Sequence, residues 1–397
     1  MPSRIRIGLE RFAADPCRWV PRGSRVGLLM NAASVDRGFR SARDVVAALP
    51  EVRLCALFGP QHGVHAAAQD NMVETPHGRD PRLGIPVWSL YADRREPAPE
   101  MLEGLDVLLV DLWDVGCRVY TFVWTLRLVM EACGRAGVPL VVLDRPNPLG
   151  GAAEGNRLDP AWASFVGLEP VPMRHGLTLG EMALWFREAR GVACEVTVVP
   201  VQGWDRSMMW PRTGRPWVMP SPNMPTFDTA LVYPGTVLLE GTTASEGRGT
   251  ARPFEIVGGP WVDPEELAGR LARLGLPGVV FRPVTFEPTF QKWAGRACGG
   301  VHLHVTGPGE FKPYLTGLAV VGALWALCRG RGFGWREPPY EYETERLPIH
   351  LLLGDEGLRQ ALEQGADPRD LEASWAGDLA EWAGETEGVR LYPGGAR

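Results

Sequence analysis

The chain has 397 residues, of which 45% are hydrophobic, and a formal net charge of -6. This composition is typical of a globular protein with two or three domains, each able to bury its own core. The acidic balance argues against a nucleic-acid partner, which favours a basic protein face.

The cysteines and the amino-terminal residues indicate a cellular location. The 7 cysteines are irregularly spaced and contain no C-x-x-C pair, so we expect reduced thiols rather than a disulfide framework. Residues 1–16 contain no apolar run of the kind that a secretory signal peptide has. The apolar stretch 315–328 is shorter than the roughly 20 residues that cross a bilayer. We therefore predict a cytoplasmic protein with a buried core helix at 315–328 and no membrane partner.

Strand-like and helix-like segments alternate over the first 150 residues. The apolar runs typical of buried parallel strands are 25–31, 52–58, 106–112 and 139–144. Helical patterns cover 41–49, which Ser41 would cap, and 121–135. This order predicts an α/β fold, a Rossmann-like open parallel sheet with helices on both faces. No G-x-G-x-x-G and no phosphate-binding P-loop occurs, so we predict no nucleotide cofactor.

The alternation becomes less regular after Gly150-Gly151, which we interpret as a hinge. We therefore predict a Rossmann-like catalytic domain over residues 1–150 and an auxiliary α+β domain over residues 151–397. The helices predicted in the second part are 179–190, 263–274, 355–363 and 368–383. The strands predicted there are 195–200, 231–240, 279–286 and 300–306.

Polar side chains follow four of the predicted strands of the first domain. They are Asn31, then Gln61 and His62, then Asp111, Asp114 and Arg118, and finally Asp144, Arg145 and Asn147. In open parallel sheets the ligand lies beyond the carboxyl ends of the strands. The sequence therefore predicts a polar pocket at this edge of the sheet.

Two of these strand ends carry groups suited to acid–base chemistry. Asp111 and Asp114 lie three residues apart, and glycosidic cleavage commonly uses two carboxyl groups. Alternatively, Asp114 caps the next helix and Asp111 is a buried hydrogen-bonding centre. His62, in the glycine-bounded turn GPQHG, could be a general acid or base or a structural histidine. No H-E-x-x-H or similar ligand spacing occurs, and we predict no metal.

Two segments of the second part could contact a ligand. Residues 239–255 place Glu240, Glu246 and Arg248 among small residues, either for an anionic, hydroxylated substrate or as an internal Arg–Glu network. The proline-fixed loop 220–225 presents Ser221 and Asn223, either to a ligand or as a turn between domains. Tryptophan rings could stack on sugars or simply fill the core; they include 113, 124, 204, 210 and 217.

Several of these motifs together resemble those of the exo-β-N-acetylmuramidase family of the NamZ type. In chain order they include GPQHG, DLWDVGCRVYTF, VVLDRPNPLGG, PSPNMPT and EGTTASEGRGTARPFE. The resemblance extends over about residues 5–325 and is looser in the C-terminal remainder. It implies a Rossmann-like catalytic domain and a smaller domain that closes the cleft. It also implies hydrolysis of terminal β-linked N-acetylmuramic acid from peptidoglycan fragments, without a cofactor, during cell wall recycling.

Under this resemblance each candidate residue has an expected role. Asp114 or Glu246 would supply the essential carboxyl group, and His62 and Gln61 would hold the sugar. An arginine would pair with the lactyl carboxylate, because a guanidinium binds a carboxylate in a bidentate way; the candidates are Arg118, Arg145 and Arg248. The remaining residues expected to bind substrate are Asn31, Asp111, Tyr120, Asn147, Ser221, Asn223 and Glu240.

Gln61 departs from the family pattern, in which many members resemble G-P-E-H-G with the glutamate as the favoured catalytic carboxylate. An amide can neither donate a proton as an acid nor act as a charged base. Three explanations remain open. Another carboxylate takes over, from among Asp70, Glu74, Asp114 and Glu246; the acetamido group of the substrate assists; or the chain is a sugar-binding relative with altered or lost catalysis. A scaffold protein with a tryptophan-rich surface is a further alternative.

Overall fold

A computed structural model describes residues 5–69 and 72–394 of the chain. The strands are β1 (Ser24–Met30), β2 (Val52–Gly59), β3 (Gly78–Arg79), β4 (Pro86–Ser89), β5 (Val107–Asp111), β6 (Leu140–Leu143), β7 (Glu154–Arg157), β8 (Pro172–Arg174), β9 (Val196–Val199), β10 (Ile256–Gly259), β11 (Val279–Phe286) and β12 (Cys298–Val305). The helices are α1 (Gly8–Ala14), α2 (Ala42–Ala47), α3 (Pro99–Leu102), α4 (Phe122–Ala136), α5 (Leu179–Arg190), α6 (Phe227–Thr236), α7 (Pro264–Arg273), α8 (Pro313–Cys328), α9 (Pro348–Leu353), α10 (Glu356–Gln364), α11 (Pro368–Ser374) and α12 (Ala376–Thr386).

A seven-stranded sheet in the order β3-β4-β2-β1-β5-β6-β9 forms the core of the amino-terminal part. Its pairings are parallel except for that of β3 with β4. Side chains of β1 are buried on both faces, because Val26 and Leu28 belong to one hydrophobic cluster and Leu29 to another. Burial on both faces explains why these strands are nearly continuous apolar runs in the sequence.

A three-stranded antiparallel sheet, β10-β12-β11, forms the centre of the second part. Helices α6 and α8 pack together there at an unusually short distance. A side chain at Gly317 would come within 2.4 Å of backbone atoms of Gly235, so glycine is needed at this crossing. The chain therefore has the predicted α/β class, with a mainly parallel sheet and a second, smaller α+β domain.

Local sequence signals explain where several helices begin and end. Thr178 accepts a hydrogen bond from the backbone N–H of Glu181, whose carboxylate accepts one from the N–H of Thr178, so a capping box starts α5. Gly191 ends the same helix in the left-handed conformation, with φ of 66°. The observed bounds of α5 are the predicted ones, and the predicted core helix is found as α8.

Two local predictions were wrong. The apolar run 231–240, predicted as a strand, forms most of α6 and the following 3-10 helix Val237–Gly241. The run is buried on all sides, and a fully buried run shows no periodicity that separates a helix from a strand. Ser41 stands at the start of α2, but its side chain makes no capping hydrogen bond.

The expected division at residues 150 and 151 stays a prediction, although strand pairing favours a later boundary. Strand β9 lies beyond residue 151 and pairs in parallel with β6, so the main sheet is completed only near residue 199. Among the described residues, no helix is both long and apolar enough to cross a membrane.

Candidate active site

A polar cavity lies between the two parts of the chain, at the carboxyl ends of β2 and β5. The loops after these strands provide Gln61 and Tyr120, and the second part provides Glu240 and Arg248. The other residues that line it are His62, Val119, Thr121, Phe122, Val166, Ser221, Asn223, Met224, Tyr233, Phe254, Tyr340 and Glu341. Strands β2 and β5 flank β1, where the strand order reverses, and this is where ligands bind in open α/β sheets.

Gln61 has a fixed orientation in the turn that follows β2. Its Nε2 donates hydrogen bonds to the Tyr91 hydroxyl at 3.1 Å and to Oε1 of Glu341 at 3.2 Å. Its Oε1 accepts a hydrogen bond of 2.7 Å from Oγ1 of Thr121. The amide of Gln61 is therefore in direct contact with a buried carboxyl group.

Glu341 is that carboxyl group, and sequence analysis did not select it. It is 5% exposed, and its Oε2 accepts a hydrogen bond of 2.6 Å from the Tyr91 hydroxyl. Burial raises the pKa of Glu341, and the neighbouring charge of Glu240 raises it further, whereas the hydrogen bonds from Tyr91 and Gln61 lower it. The net shift is upward, so this carboxyl group keeps its proton to a higher pH than an exposed glutamate does.

Glu240 is the second carboxylate that lines the cavity. The 3-10 helix after α6 places it there, and it accepts hydrogen bonds of 2.7 Å from Nη2 of Arg248 and from the Tyr340 hydroxyl. The Arg248 guanidinium lies 5.0 Å from the ring centre of Phe254. This cavity wall therefore carries a paired carboxylate and a fixed cation.

Comparisons with known proteins agree on one family. A family model described as "Exo-beta-N-acetylmuramidase NamZ, N-terminal" matches residues 26–228, and its C-terminal counterpart matches residues 231–392. The chain belongs to the NamZ family. The peptidoglycan β-N-acetylmuramidase NamZ of Bacillus subtilis (strain 168) is 44% identical over 391 residues, covering 98% of this chain and 92% of that protein.

Two crystal structures from Bacteroides fragilis NCTC 9343, both described as DUF1343 family proteins, share the fold of this NamZ-family chain. One has a TM-score of 0.88 at 32% identity, and the other a TM-score of 0.77 at 26% identity. Both alignments cover 98% of this chain and 99% of the other chain. The match extends through both domains, including the C-terminal part whose sequence motifs resemble the family only loosely.

Of the two carboxylates expected to be essential in this NamZ-family chain, Glu246 lies outside the cavity lining. It forms ion pairs with Nζ of Lys292 at 2.9 Å and with Nε of Arg248 at 3.4 Å. Burial opposes ionisation, but the two cations outweigh it and lower the pKa of Glu246. A carboxylate that is held ionised in this way is a poor proton donor.

Asp114, the other expected carboxylate, also lies outside the cavity lining. Its Oδ1 accepts a hydrogen bond of 2.6 Å from the backbone N–H of Gly116 and lies 3.7 Å from Nε2 of His175. It faces a small neighbouring cleft that Arg145 and Asn147 also line. The catalytic roles expected of Asp114 and Glu246 stay predictions, and neither position favours them.

The other two arginine candidates make contacts within the core, and their expected pairing with a lactyl carboxylate stays a prediction. Arg145 forms a bidentate ion pair with Asp111, through Nε to Oδ1 at 2.6 Å and Nη2 to Oδ2 at 2.8 Å. Arg118 is 0% exposed, and its guanidinium donates to the backbone carbonyls of Asn156, Val171, Leu352 and Leu353. These side chains stabilise the strand ends below the cavity and are absent from its lining.

Two of the expected asparagines are likewise structural. Asn31 donates to the Trp113 carbonyl at 3.2 Å and accepts from the Trp113 backbone N–H at 3.2 Å. Asn147 donates to the Leu177 carbonyl at 2.9 Å and accepts from the Leu149 N–H at 2.9 Å. Both side chains hold loops that follow the strands. A position at a strand end therefore does not by itself distinguish a ligand-binding residue from a structural one.

Four other expected residues do line the cavity: His62, Tyr120, Ser221 and Asn223. His62 has a left-handed backbone with φ of 69°, and its Nδ1 lies 2.7 Å from the Ala68 carbonyl. Nδ2 of Asn223 donates to the Gln69 carbonyl at 3.0 Å. Burial raises the pKa of Tyr120, which keeps its hydroxyl neutral at physiological pH.

The remaining sequence candidates fall elsewhere. Asp70 lies outside the described residues. Glu74 is exposed and accepts a hydrogen bond of 3.3 Å from the Tyr342 hydroxyl. Of the five tryptophans singled out, Trp217 is half-buried and the other four are buried, which supports their role as core residues and gives no support to a tryptophan-rich docking surface.

Two of the cavity-lining residues that sequence analysis missed come from one segment. Tyr340 and Glu341 follow Pro338-Pro339, beyond the motifs that carried the resemblance. Prolines beside polar side chains were the signal that drew attention to residues 220–225, and the same signal is present here. Applied to the C-terminal part, it would have identified Glu341.

Proposed function

We propose that this chain is an exo-acting glycoside hydrolase that releases terminal β-linked N-acetylmuramic acid from peptidoglycan fragments. The observation that carries this proposal is the 44% identity, over nearly the whole chain, with a protein named peptidoglycan β-N-acetylmuramidase. The cavity supports it, because two buried carboxyl groups and an arginine meet at the carboxyl ends of the sheet.

The cavity also offers a partner for the feature that distinguishes muramic acid, its lactyl carboxylate. Of the three arginines considered, Arg248 lines the cavity, whereas Arg118 and Arg145 do not. Ser221 and Asn223 add hydroxyl and amide groups of the kind that bind sugar hydroxyls. In this proposal Arg248 selects muramic acid over glucosamine by pairing with the lactyl group.

The test compares two chromogenic substrates, a β-N-acetylmuramide and the matching N-acetylglucosaminide. We expect the wild type to hydrolyse the muramide with clear preference. In Arg248→Gln the ratio of kcat/KM for the two substrates should fall about tenfold or more, because a charge-assisted contact of about 1.5–3 kcal/mol is lost. The ratio is insensitive to partial unfolding, which lowers both activities equally.

Arg252→Gln is the matched control, because Arg252 pairs with Glu255 at 3.3 Å and its side chain is 47% exposed. This variant should keep the wild-type ratio. Equal hydrolysis of both substrates by the wild type would contradict selection for muramic acid. Muramide binding without turnover would instead support a non-hydrolytic sugar-binding protein.

The proposal includes a cytoplasmic location and a role in cell wall recycling. All 7 cysteines are free, and five of them are buried, as suits a reducing compartment. Fractionation of cells that express the natural protein should place it with cytoplasmic markers. Recovery from the culture medium or cell surface would contradict this location.

A further inference from the structure

The two carboxyl groups that line the cavity have different partners. Glu240 is bound by a guanidinium and a tyrosine hydroxyl, so its negative charge is compensated. Glu341 accepts hydrogen bonds from two neutral groups, the Tyr91 hydroxyl and the Gln61 amide, and forms no ion pair with a described lysine or arginine. Of these two carboxyl groups, Glu341 is therefore the one whose partners favour a bound proton.

We propose that Glu341 is the general acid and base of this enzyme and that Gln61 is its positioning residue. This inference rests on the proposed glycosidase function and adds to it the identity of the group that moves the proton.

The backbone presents Glu341 in a constrained turn. Both Glu341 and Tyr342 have left-handed conformations, with φ of 45° and 68°. The Arg95 guanidinium lies 4.1 Å from the ring centres of both Tyr91 and Tyr342, so it links the turn to the residue that hydrogen-bonds Glu341. Left-handed backbone in non-glycine residues is costly and concentrates at functional sites.

This geometry explains why an amide suits position 61 better than a carboxyl group. A carboxylate there would face Oε1 of Glu341 at about the distance of 3.2 Å that now separates it from Nε2 of Gln61. Two carboxylates this close cannot both ionise, and they would share one proton. Gln61 instead donates a hydrogen bond to Glu341 and leaves the exchangeable proton on that residue alone.

In this mechanism a single protein group, Glu341, gives a proton in the first step and takes one back in the second. As the bond between the anomeric carbon and the glycosidic oxygen breaks, its electron pair stays on that oxygen, which takes the proton of Glu341. The acetamido oxygen of the sugar bonds to the anomeric carbon in the same step. Water then replaces the acetamido oxygen and gives a proton to the Glu341 carboxylate, which restores the acid.

The test uses the full-length protein and two β-N-acetylmuramides that differ only in the leaving group. One releases a sugar hydroxyl, which must be protonated, and the other releases 2,4-dinitrophenolate, which is stable as an anion. In Glu341→Gln we expect kcat/KM to fall by about 100-fold or more for the sugar leaving group, and by less than about tenfold for dinitrophenolate. Glu345→Gln makes the same change at an exposed site four residues away and should keep both activities.

Each outcome bears on a different claim. Equal loss on both substrates, or no loss on either, would overturn the role of Glu341 and leave the proposed function standing. A wild type that hydrolyses neither substrate would overturn the proposed function itself. If Glu341→Gln fails to fold, Glu341→Asp keeps the acid and retracts it, and the same difference between leaving groups is expected.

Discussion

Glu246 and Glu341 are both buried carboxyl groups of the second domain, and their surroundings give them opposite properties. Glu246 forms ion pairs with Lys292 and Arg248, and its pKa is lowered. Glu341 is hydrogen-bonded by Tyr91 and Gln61, and its pKa is raised. Burial favours the protonated form in both cases, so the charge of the neighbours determines which group keeps its proton.

This comparison shows why motif position was a poor guide to the catalytic acid. Glu246 lies within the long motif EGTTASEGRGTARPFE, whereas Glu341 lies in a segment with only loose resemblance to the family. Arg248, which makes Glu246 look functional in sequence, acts with Lys292 to keep that carboxylate ionised in the structure.

Removing a cation from Glu246 should have the largest effect on stability. In Lys292→Met the buried carboxylate keeps Arg248 as its cationic partner and loses an ion pair of 2.9 Å. We expect the free energy of unfolding to fall by about 3 kcal/mol, as when a buried ion pair loses one partner. Denaturant titration measures this change.

Lys312→Met is the matched control for that variant. Lys312 pairs with Glu372 at 2.6 Å, but the two side chains are 45% and 28% exposed. An exposed pair contributes less than about 1 kcal/mol, so this variant should unfold almost as the wild type does. Similar losses in both variants would mean that burial does not govern the strength of the Glu246 pair.

The pH dependence of stability should have opposite signs at the two glutamates. The pKa of folded Glu246 lies below the usual 4.5, so its stabilising contribution is present above pH 4.5 and is lost as pH falls through the folded value. The pKa of folded Glu341 lies above 4.5, so its contribution is present below pH 4.5 and is lost as pH rises through the folded value.

Unfolding of Glu246→Gln and Glu341→Gln across this pH range tests the two signs. Relative to the wild type, Glu341→Gln should gain stability as pH rises above 4.5, and Glu246→Gln should gain stability as pH falls below 4.5. Slopes of the same sign in both variants would refute the contrast.

Gln61→Glu should change the pH profile of catalysis. The new carboxyl group would lie beside Oε1 of Glu341, and the pair would hold a shared proton to higher pH. We expect the basic limb of kcat/KM to move up by about one pH unit or more. Gln202→Glu, at an exposed position, should leave that limb in place. An unmoved limb in Gln61→Glu would mean that residue 61 does not influence the proton of Glu341.

Tyr91→Phe should have the smallest effect. It removes the hydrogen bond of 2.6 Å that stabilises the carboxylate form of Glu341, so the basic limb should move up by less than about one pH unit. The free energy of unfolding should fall by about 1 kcal/mol. Tyr342→Phe removes a hydrogen bond of 3.3 Å to exposed Glu74 and no contact with the Glu341 carboxyl group, so it should shift neither quantity.

The main elements of the fold could be predicted because local patterns determine them. Strands β1, β2, β5 and β6 are apolar runs buried on both faces, and α5 carries its own capping box and terminal glycine. The run 231–240 was assigned to a strand because complete burial removes the periodicity that identifies a helix. The place of β9 in the main sheet depends on a pairing with β6 that no local pattern encodes.

The sequence predicted some of the cavity-lining residues but could not separate them from strand-end residues that contact the core. Gln61, Tyr120 and Arg248 line the cavity as expected. Arg118 and Arg145 also follow strands, but their guanidinium groups are taken by backbone carbonyls and by Asp111. Whether a polar side chain faces a ligand or a core partner depends on three-dimensional neighbours, and these are set by segments far away in sequence.

The hydrogen bond between Gln61 and Glu341 joins residues that are 280 positions apart. Ribosomes extend a chain by about 5–20 residues per second, and amino-terminal domains fold first. The parallel sheet can therefore be complete for about 10 seconds or more before Glu341 has been synthesised. A nascent chain that ends before residue 341 lacks this proton donor, so hydrolysis would begin only once synthesis is nearly finished.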